Sequence, residues 1–375
     1  MKIVVGILFG GKSAEHEISL LSAKNIYDAI DREKFTPVLI GIDKSGRWLL
    51  NNSEQYLLNA DNPSLVSLNP NGNPVALQPE KRSLLSKDKQ GSFSPVHLDV
   101  VFPILHGPFG EDGTIQGFLK LADIPFVGSG VLGSAVGMDK DVMKRLLRDA
   151  GVPIGKFIAV KSHEKFPSFE EAEAALGKPL FIKPANMGSS IGISKVNNEE
   201  EYAAAIKDAF LYDTKIIIEE FVPGREIECA VLGNEEPLAS IPGEVIPSHE
   251  FYSYDAKYLD ENGAALEIPA KLDEKTTKQI QQLAIKVFQT LCCEGLSRVD
   301  FFLKNNGDII VNEINTMPGF TKISMYPKMW ENSHASQDGQ ASQDLGISYT
   351  ELITRLIELA ISRFERDAKL NTTKQ

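Results

Sequence analysis

Only three of the 375 residues are cysteine, Cys229, Cys292 and Cys293, and two of them are adjacent. That excludes a disulfide framework and fits a reducing compartment, so a cytoplasmic location is expected. No apolar run approaches the ~20 residues of a membrane-spanning helix, so no membrane partner is expected. The N-terminal "MKIVVGILFGG" holds one lysine and a short apolar run broken by Gly6. It reads as a first strand rather than a leader. Basic residues are also in short supply: 39 Lys and Arg face 51 Asp and Glu, a net charge of −12. Nucleic acid and acidic membrane surfaces are thereby excluded as general partners. A small anion held by a few local lysines is compatible with that balance.

What is present is an ordinary globular composition, 42% hydrophobic and 24% charged, in a chain too long for one core. The first third alternates strand patterns (3–9, 37–42, 98–104) with helix patterns (19–30, 114–123), which predicts an α/β unit with a doubly wound parallel sheet. Residues 51–95, rich in Asn, Pro and Ser, read as an extended insertion with little core. A helix over 138–151 ends at Gly151. Then come a strand, a Gly/Ser loop and a strand (178–196), a helix (198–210) and a buried strand (215–222). The last part holds a strand at 225–233, a polar aromatic loop at 248–263, a helix at 273–292, paired strands at 298–303 and 309–315, and a final helix at 348–365. The polar stretch 333–346, in which "ASQD" occurs twice, reads as a surface loop.

Three patterns carry chemistry. In "RVDFFLKNNGDIIVNEIN" a hairpin sets Asp300 about opposite Asn312–Glu313, and Glu313 shares a face with Asn315. Such a set of hard oxygen donors suits Mg²⁺ that also binds phosphates; taken alone, it equally describes a solvated strand end. In "FIKPANMGSSIG", Lys183 leaves a strand for a loop with Gly188, Ser189, Ser190 and Gly192, whose N–H and O–H groups can approach an anion. Alone, this is also an ordinary turn, and Lys140, at the start of its helix, is alone a solvated lysine. The third pattern is a decoy. "GILFGGKS", 6–13, matches the P-loop letter for letter, but Gly6 lies inside an apolar run, no helix opens at Lys12-Ser13, and Glu15 and Glu17 would repel a polyphosphate.

Seven motifs then occur in one order: "GGKSAEHEISL", "HGPFGEDGTIQG", "GMDKDVMKRLL", "FIKPANMGSSIGISKV", "FYSYDAKY", "SRVDFFL" and "VNEINTMPGFT". Together they resemble the D-alanine–D-alanine ligases of the ATP-grasp superfamily over nearly the whole chain. The resemblance implies a three-domain ATP-grasp fold: an N-terminal α/β domain (1–135), a central subdomain (136–224) and a C-terminal subdomain (225–375). It implies ATP and two Mg²⁺ (or Mn²⁺), D-alanine as substrate, and an acyl-phosphate route to D-alanyl-D-alanine for peptidoglycan precursors. A homodimer is also expected.

By the same resemblance, Asp300, Glu313 and Asn315 are metal ligands. Lys140, Lys183, Ser190 and Lys257 meet the phosphates. Glu219, Glu220, Val222 and Glu226 surround the adenine and ribose, although Glu220 stands where some relatives have lysine. Glu15, His106, Ser324 and Met325 meet the amino-acid substrates. Arg298 and the Gly319 N–H form an oxyanion site, with Ser324 at its edge. Tyr258, Glu15 and Ser189 form a triad that ties the 248–263 lid to the site. His106 alone would be a packing histidine. Three other readings fit parts of the sequence: a related ligase with D-serine or D-lactate as acceptor, a P-loop NTPase using Lys12 and Ser13, and an inactive ATP-binding module. Tyr258 argues against lactate, and the retention of Asp300, Glu313, Asn315 and Arg298 argues against inactivity.

Overall fold

The computed structural model describes residues 2–78, 82–247, 264–333 and 346–371. Its first sheet is built from β1 (Ile3–Gly10), β2 (Phe35–Ile42), β3 (Trp48–Asn51), β6 (Asn73–Gln78), β7 (Ser83–Lys87), β8 (Phe93–His97) and β9 (Val100–Ile104), while β4 (Leu57–Leu58) and β5 (Ser67–Leu68) form a separate pair. The order is β8-β7-β6-β3-β2-β1-β9. Its centre, β2-β1-β9, is parallel. Along β1, Val5, Ile7 and Phe9 pack on the helix His16–Ala29 through Leu20, Ala23 and Ile26. Leu8 points the other way, toward Ile115 and Leu119 of the helix Thr114–Leu121. A strand covered on both faces has to be apolar throughout, which is why β1 reads as an unbroken run.

The sheet is not parallel beyond that centre. The stretch expected as an insertion with little core adds antiparallel strands β6, β7 and β8 and buries Tyr56, Val66 and Leu84. These strands are short and half-exposed, and Asn, Pro and Ser at their ends mask the alternation that would reveal them. The P-loop decoy is resolved here as well. Gly6 sits mid-strand opposite Val38 and Val101, and the helix begins only at His16.

The second sheet has the antiparallel order β10 (Phe157–Lys161), β13 (Lys215–Glu220), β11 (Leu180–Pro184), β12 (Ser194–Val196). Helices Phe169–Leu176 and Glu199–Ala209 cover one face, packing on Leu180, Ile182, Ile216 and Ile218. The alternate residues, Lys183 and Glu219 among them, therefore belong to the opposite face.

The third sheet runs β17 (Ala264–Glu267), β16 (Gly243–Pro247), β14 (Arg225–Gly233), β18 (Gly295–Leu303), β19 (Ile309–Asn315), with β15 (Leu238–Ala239) beside β14. The helix Glu274–Thr290 covers Ile227, Cys229, Val231, Val299 and Phe301, and the helix Lys140–Asp149 adds Met143 and Leu147 to the same core. Glu226, Glu228, Arg298 and Asp300 fall on the other face. A bulge decides what β19 adds to that face: Asp300 pairs with Glu313, yet Phe301 pairs with Val311, leaving Asn312 as the extra residue. In a regular strand Val311 and Glu313 would share a face. The bulge sends Val311 into the core with Ile314 and leaves Glu313 and Asn315 beside Asp300 and Arg298.

Candidate active site

Two adjoining cavities, of about 370 and 190 Å³, lie between these faces and share Lys140, Ser189, Glu226 and Glu313 in their walls. The larger is lined by Glu15, His106, Arg298, Asp300, Asn315, Gly319, Ser324 and Met325. The smaller is lined by Lys183, Ser190, Glu219, Glu220 and Val222. Every expected site residue within the described part of the chain is therefore in one continuous cleft. Lys257 and Tyr258, with the rest of the 248–263 loop, lie outside the described residues, as does nearly all of 333–346.

At the far end of the smaller cavity, Lys144 Nζ lies 2.7 Å from Glu219 and Lys183 Nζ pairs with the same carboxylate. Burial opposes the Glu219 charge, but the two ammonium groups outweigh it and hold the pKa down at about 2. Burial likewise opposes the Lys183 charge, and the carboxylates of Glu219 and Glu313 outweigh it and raise its pKa. Two lysines on one glutamate put one more ammonium than carboxylate at that point, a local place for an anion, although Glu220, Glu226 and Glu313 also line the cavity. Lys140 stands at the junction of the cavities. Its Nζ donates to Met187 O at 2.7 Å and lies 3.5 Å from Glu313. Asp139 caps the helix that carries it, accepting from Val142 N at 3.1 Å. Lys215 clamps that cap, 2.7 Å from Asp139 and 3.1 Å from Asp141.

Glu220 turns away from this charge network. Its carboxylate accepts from Lys156 N at 2.7 Å and so braces the edge of the second sheet. Apolar surface beside it comes from Phe181 stacked on Phe221, with ring centroids 6.0 Å apart.

The larger cavity has the opposite balance. Glu15 precedes the helix His16–Ala29 and is 5% exposed. Its carboxylate accepts from the Ser189 hydroxyl and lies so close to Gly107 (φ +70) that a Cβ there would meet Glu15 Oε2 at 2.6 Å. A side chain at that position would strain the left-handed backbone and push the Glu15 carboxylate aside. Ser189 and Ser190 also have positive φ, 51° and 60°, a conformation uncommon for non-glycine residues and concentrated at functional loops. Next to Glu15 is Glu111, which accepts from Gly107 N at 2.9 Å and from Met317 N. Burial first, and the neighbouring Glu15 carboxylate second, raise its pKa to about 8. His106 is buried with it. Burial lowers its pKa to about 4, and Nδ1 lies 3.0 Å from Met317 O. The ring is therefore neutral, with its proton on Nδ1 facing the carbonyl.

On the third sheet, Arg298 donates two bonds of 2.7 Å to Asp300 and lies 3.0 Å from Glu228. Asn315 Nδ2 donates to Asp300 at 2.9 Å. The donor set Asp300, Glu313 and Asn315 offers two carboxylates and one amide oxygen. Among the described residues no group of three His, Cys, Asp or Glu side chains forms a metal cluster. The set nonetheless fits a hard divalent cation that takes further ligands from phosphate. Arg298 and Lys140 already balance the two carboxylates with positive charge.

Reading the sequence missed four contributors: Glu111, Lys144, Glu228 and Met187. Each had a signal. Glu111 lies inside "HGPFGEDG", Lys144 is one helical turn after Lys140, Glu228 is two residues along its strand from Glu226, and Met187 precedes Gly188 in the loop.

The N-terminal model of the D-ala D-ala ligases matches residues 4–129 and the C-terminal model residues 146–358. A D-alanine–D-alanine ligase of Oceanobacillus iheyensis is 54% identical over 100% of this chain and 99% of its own. The solved D-alanine-D-alanine ligase of Coxiella burnetii superposes with a TM-score of 0.83 at 37% identity, covering 98% of this chain and 96% of its own. A D-Ala:D-Ser ligase of Enterococcus faecalis follows at 0.81 and 36%, covering 96% and 100%. The α/β architecture is the ATP-grasp fold of these relatives, and the chain belongs to the D-alanine–D-alanine ligase family.

Proposed function

We propose that the enzyme joins two D-alanine molecules, with ATP converted to ADP and phosphate, and that its dipeptide product serves peptidoglycan precursor synthesis. In the first step a carboxylate oxygen of one D-alanine attacks the γ-phosphorus. The bond to the bridging oxygen breaks, ADP leaves and an acyl phosphate forms. In the second step the neutral amine of the other D-alanine attacks the acyl carbon, the carbon–oxygen bond to phosphate breaks, and the proton lost from the amine leaves with the phosphate as hydrogen phosphate.

Glu15 receives the ammonium of the first D-alanine, and neutral His106 shapes the same wall. Lys140, Lys183 and Ser190 face the phosphates. Glu226, Val222 and the backbone around Glu219 and Glu220 enclose the nucleoside. Arg298 and the Gly319 N–H meet the developing oxyanion, with Ser324 and Met325 beside the second D-alanine. Asp300, Glu313 and Asn315 would hold Mg²⁺ or Mn²⁺, which supplies charge neutralisation on the transferring phosphoryl group.

The observation that carries this reading is the charge division of one cleft, two lysines on one glutamate at one end and two glutamates side by side at the other. Such a cleft takes a molecule with a polyphosphate and a molecule with an ammonium together. The 54% identity to a D-alanine ligase over the full chain favours D-alanine over D-serine or D-lactate as acceptor.

Three further points are part of this reading. The three large sheets support a division into an N-terminal, a central and a C-terminal unit. No helix among the described residues is long and apolar enough to cross a membrane, in keeping with a cytoplasmic enzyme. Phe118, Leu121 and Leu132, at 44, 87 and 60% exposure on two neighbouring helices, support a homodimer through that face.

The test is ADP release by purified protein with D-alanine, D-serine, D-lactate or L-alanine, with products identified by mass spectrometry. D-alanine should drive turnover to the dipeptide, and a chelator should abolish it. ADP release indifferent to D-alanine would refute the proposal.

A further inference from the structure

The turn Met317-Pro318-Gly319-Phe320 follows β19 and forms part of the larger cavity's wall. Both residues that bracket Pro318-Gly319 are held at both backbone groups. Met317 N–H donates to Glu111 and Met317 O accepts from His106 Nδ1 at 3.0 Å. Phe320 N–H donates to Ser22 Oγ at 3.1 Å. Phe320 O accepts twice, from Asn25 Nδ2 at 3.0 Å and from the Tyr349 hydroxyl at 2.7 Å. Ser22 Oγ lies 3.4 Å from His106 Nε2. That nitrogen can only accept while Nδ1 donates, so the Ser22 hydroxyl points to it and one orientation of the network is selected.

The holding groups come from far along the chain. Ser22 and Asn25 lie on the helix that Glu15 precedes, and Tyr349 opens the helix Tyr349–Asp367. The Phe320 ring is fully buried, at 5.8 Å from Phe102, 5.6 Å from Tyr326 and 6.1 Å from Tyr349. Between the two clamped residues, Pro318 has no N–H, and among the described residues the Gly319 N–H has no acceptor. A Cβ on Gly319 would come within 2.8 Å of Ser324 Oγ, so the backbone lies directly against that hydroxyl.

We infer that Asn25 and Tyr349 are positioning residues for the acyl-transfer step: their paired bonds to the Phe320 carbonyl fix the Gly319 N–H where the tetrahedral oxygen forms. The inference rests on the ligase reading above. It also links the two amino-acid subsites, because one helix both follows the ammonium anchor Glu15 and grips the oxyanion turn. A donor held in advance needs no reorganisation during reaction, which is the source of its catalytic effect.

The experiment uses the full-length enzyme with Tyr349→Phe, Asn25→Ala, the near-isosteric Asn25→Asp, and the Asn25→Ala/Tyr349→Phe pair. Steady-state kinetics, the affinity for a phosphinate dipeptide that mimics the tetrahedral intermediate, and the melting temperature are measured for each. Tyr349→Phe should cost about 2- to 12-fold in kcat, the scale of one neutral hydrogen bond. The pair should cost more than the product of its singles, because the buried carbonyl then has neither donor. Asn25→Asp should be no better than Asn25→Ala, since it offers no donor when ionised. KM for ATP should stay within about 2-fold while binding of the phosphinate weakens in step with kcat.

A double variant with wild-type kcat and phosphinate affinity would overturn the inference. So would a parallel loss of ATP affinity, kcat and melting temperature, which is the signature of general loosening. Wild-type enzyme without D-alanine-dependent ADP release would overturn the ligase reading and this inference with it, whereas active wild type beside unaffected variants overturns the inference alone.

Discussion

At the end of the cleft proposed for the nucleotide, Lys144 and Lys183 converge on Glu219. At the end proposed for the amino acids, Glu15 and Glu111 lie side by side, and Arg298 is the cation that acts on Glu111. Both ends are buried, so both penalise charge, yet the outcomes differ in sign. Where opposite charges outnumber the carboxylate, its pKa falls to about 2. Where a like charge is the neighbour, burial and repulsion act together and the pKa rises to about 8. On the proposed reading, one cleft offers a lysine pair to a polyphosphate at one end and a carboxylate pair to an ammonium at the other. The carboxylate-rich end is relieved of one negative charge by a proton.

Removing charge from the cationic end should have the largest effect. Lys183→Ala should lower D-alanine-dependent ADP release by ~10²- to 10³-fold, the scale of a missing transition-state donor, and should leave KM for D-alanine nearly unchanged. If it instead raised that KM alone, the two ends would not be separate functions.

At the opposite end, Glu15→Gln should raise KM for D-alanine by roughly 10- to 150-fold, the worth of a hydrogen bond to a charged group. KM for ATP should stay constant in the same kinetic series. Equal loss of ATP affinity would erase the distinction between the ends.

Glu111→Gln sharpens the comparison through pH. The folded-state pKa of Glu111 lies above the unfolded value, so the folded protein holds a proton that the unfolded chain releases between about pH 4.5 and 8. Stability from this group is thus fully present below pH 4.5 and is lost as pH rises through 8. The groups acting on Glu111 are Glu15, Arg298 and His106, and His106 is neutral across this window because its own pKa is about 4. The amide variant should match wild type near pH 5 and melt higher than wild type at pH 8 to 9. Parallel melting curves across the whole range would show that Glu111 is ionised throughout.

The smallest effect belongs to the decoy. Lys12 is absent from both cavity walls, and its Nζ sits 6.0 Å over the Phe109 ring. Lys12→Ala should change turnover by less than ~3-fold, the range of an ordinary surface substitution. A loss rivalling that of Lys183→Ala would revive the P-loop.

Much of this was legible in the residues. The unbroken apolar run of β1 and the strand patterns at 225–233 and 298–303 placed strands correctly because these local patterns survive whatever the tertiary contacts are. The loop at 185–193 and the strand end at 312–315 announced themselves by polar groups where apolar ones were expected. The antiparallel extension β6–β8 was not legible, since half-exposed strands carry little hydrophobic signal. The bulge at Asn312 was legible in principle: the core residues Ile309, Val311 and Ile314 are spaced two and then three apart, and a regular strand cannot bury both Val311 and Ile314.

The sequence alone determined which side chains carry charge and, along regular strands such as β14 and β18, which face each one takes, because alternation is a local property of the backbone; in β19 the bulge at Asn312 overrides it. It could not assign states to those charges. Glu111 and Glu219 are the same residue type with the same intrinsic acidity. One holds its proton near neutrality and the other is firmly ionised only because folding surrounds the first with burial and a like charge and the second with two lysines. That choice belongs to the tertiary structure, since the field at a buried carboxylate is set by groups tens to hundreds of residues away in the chain.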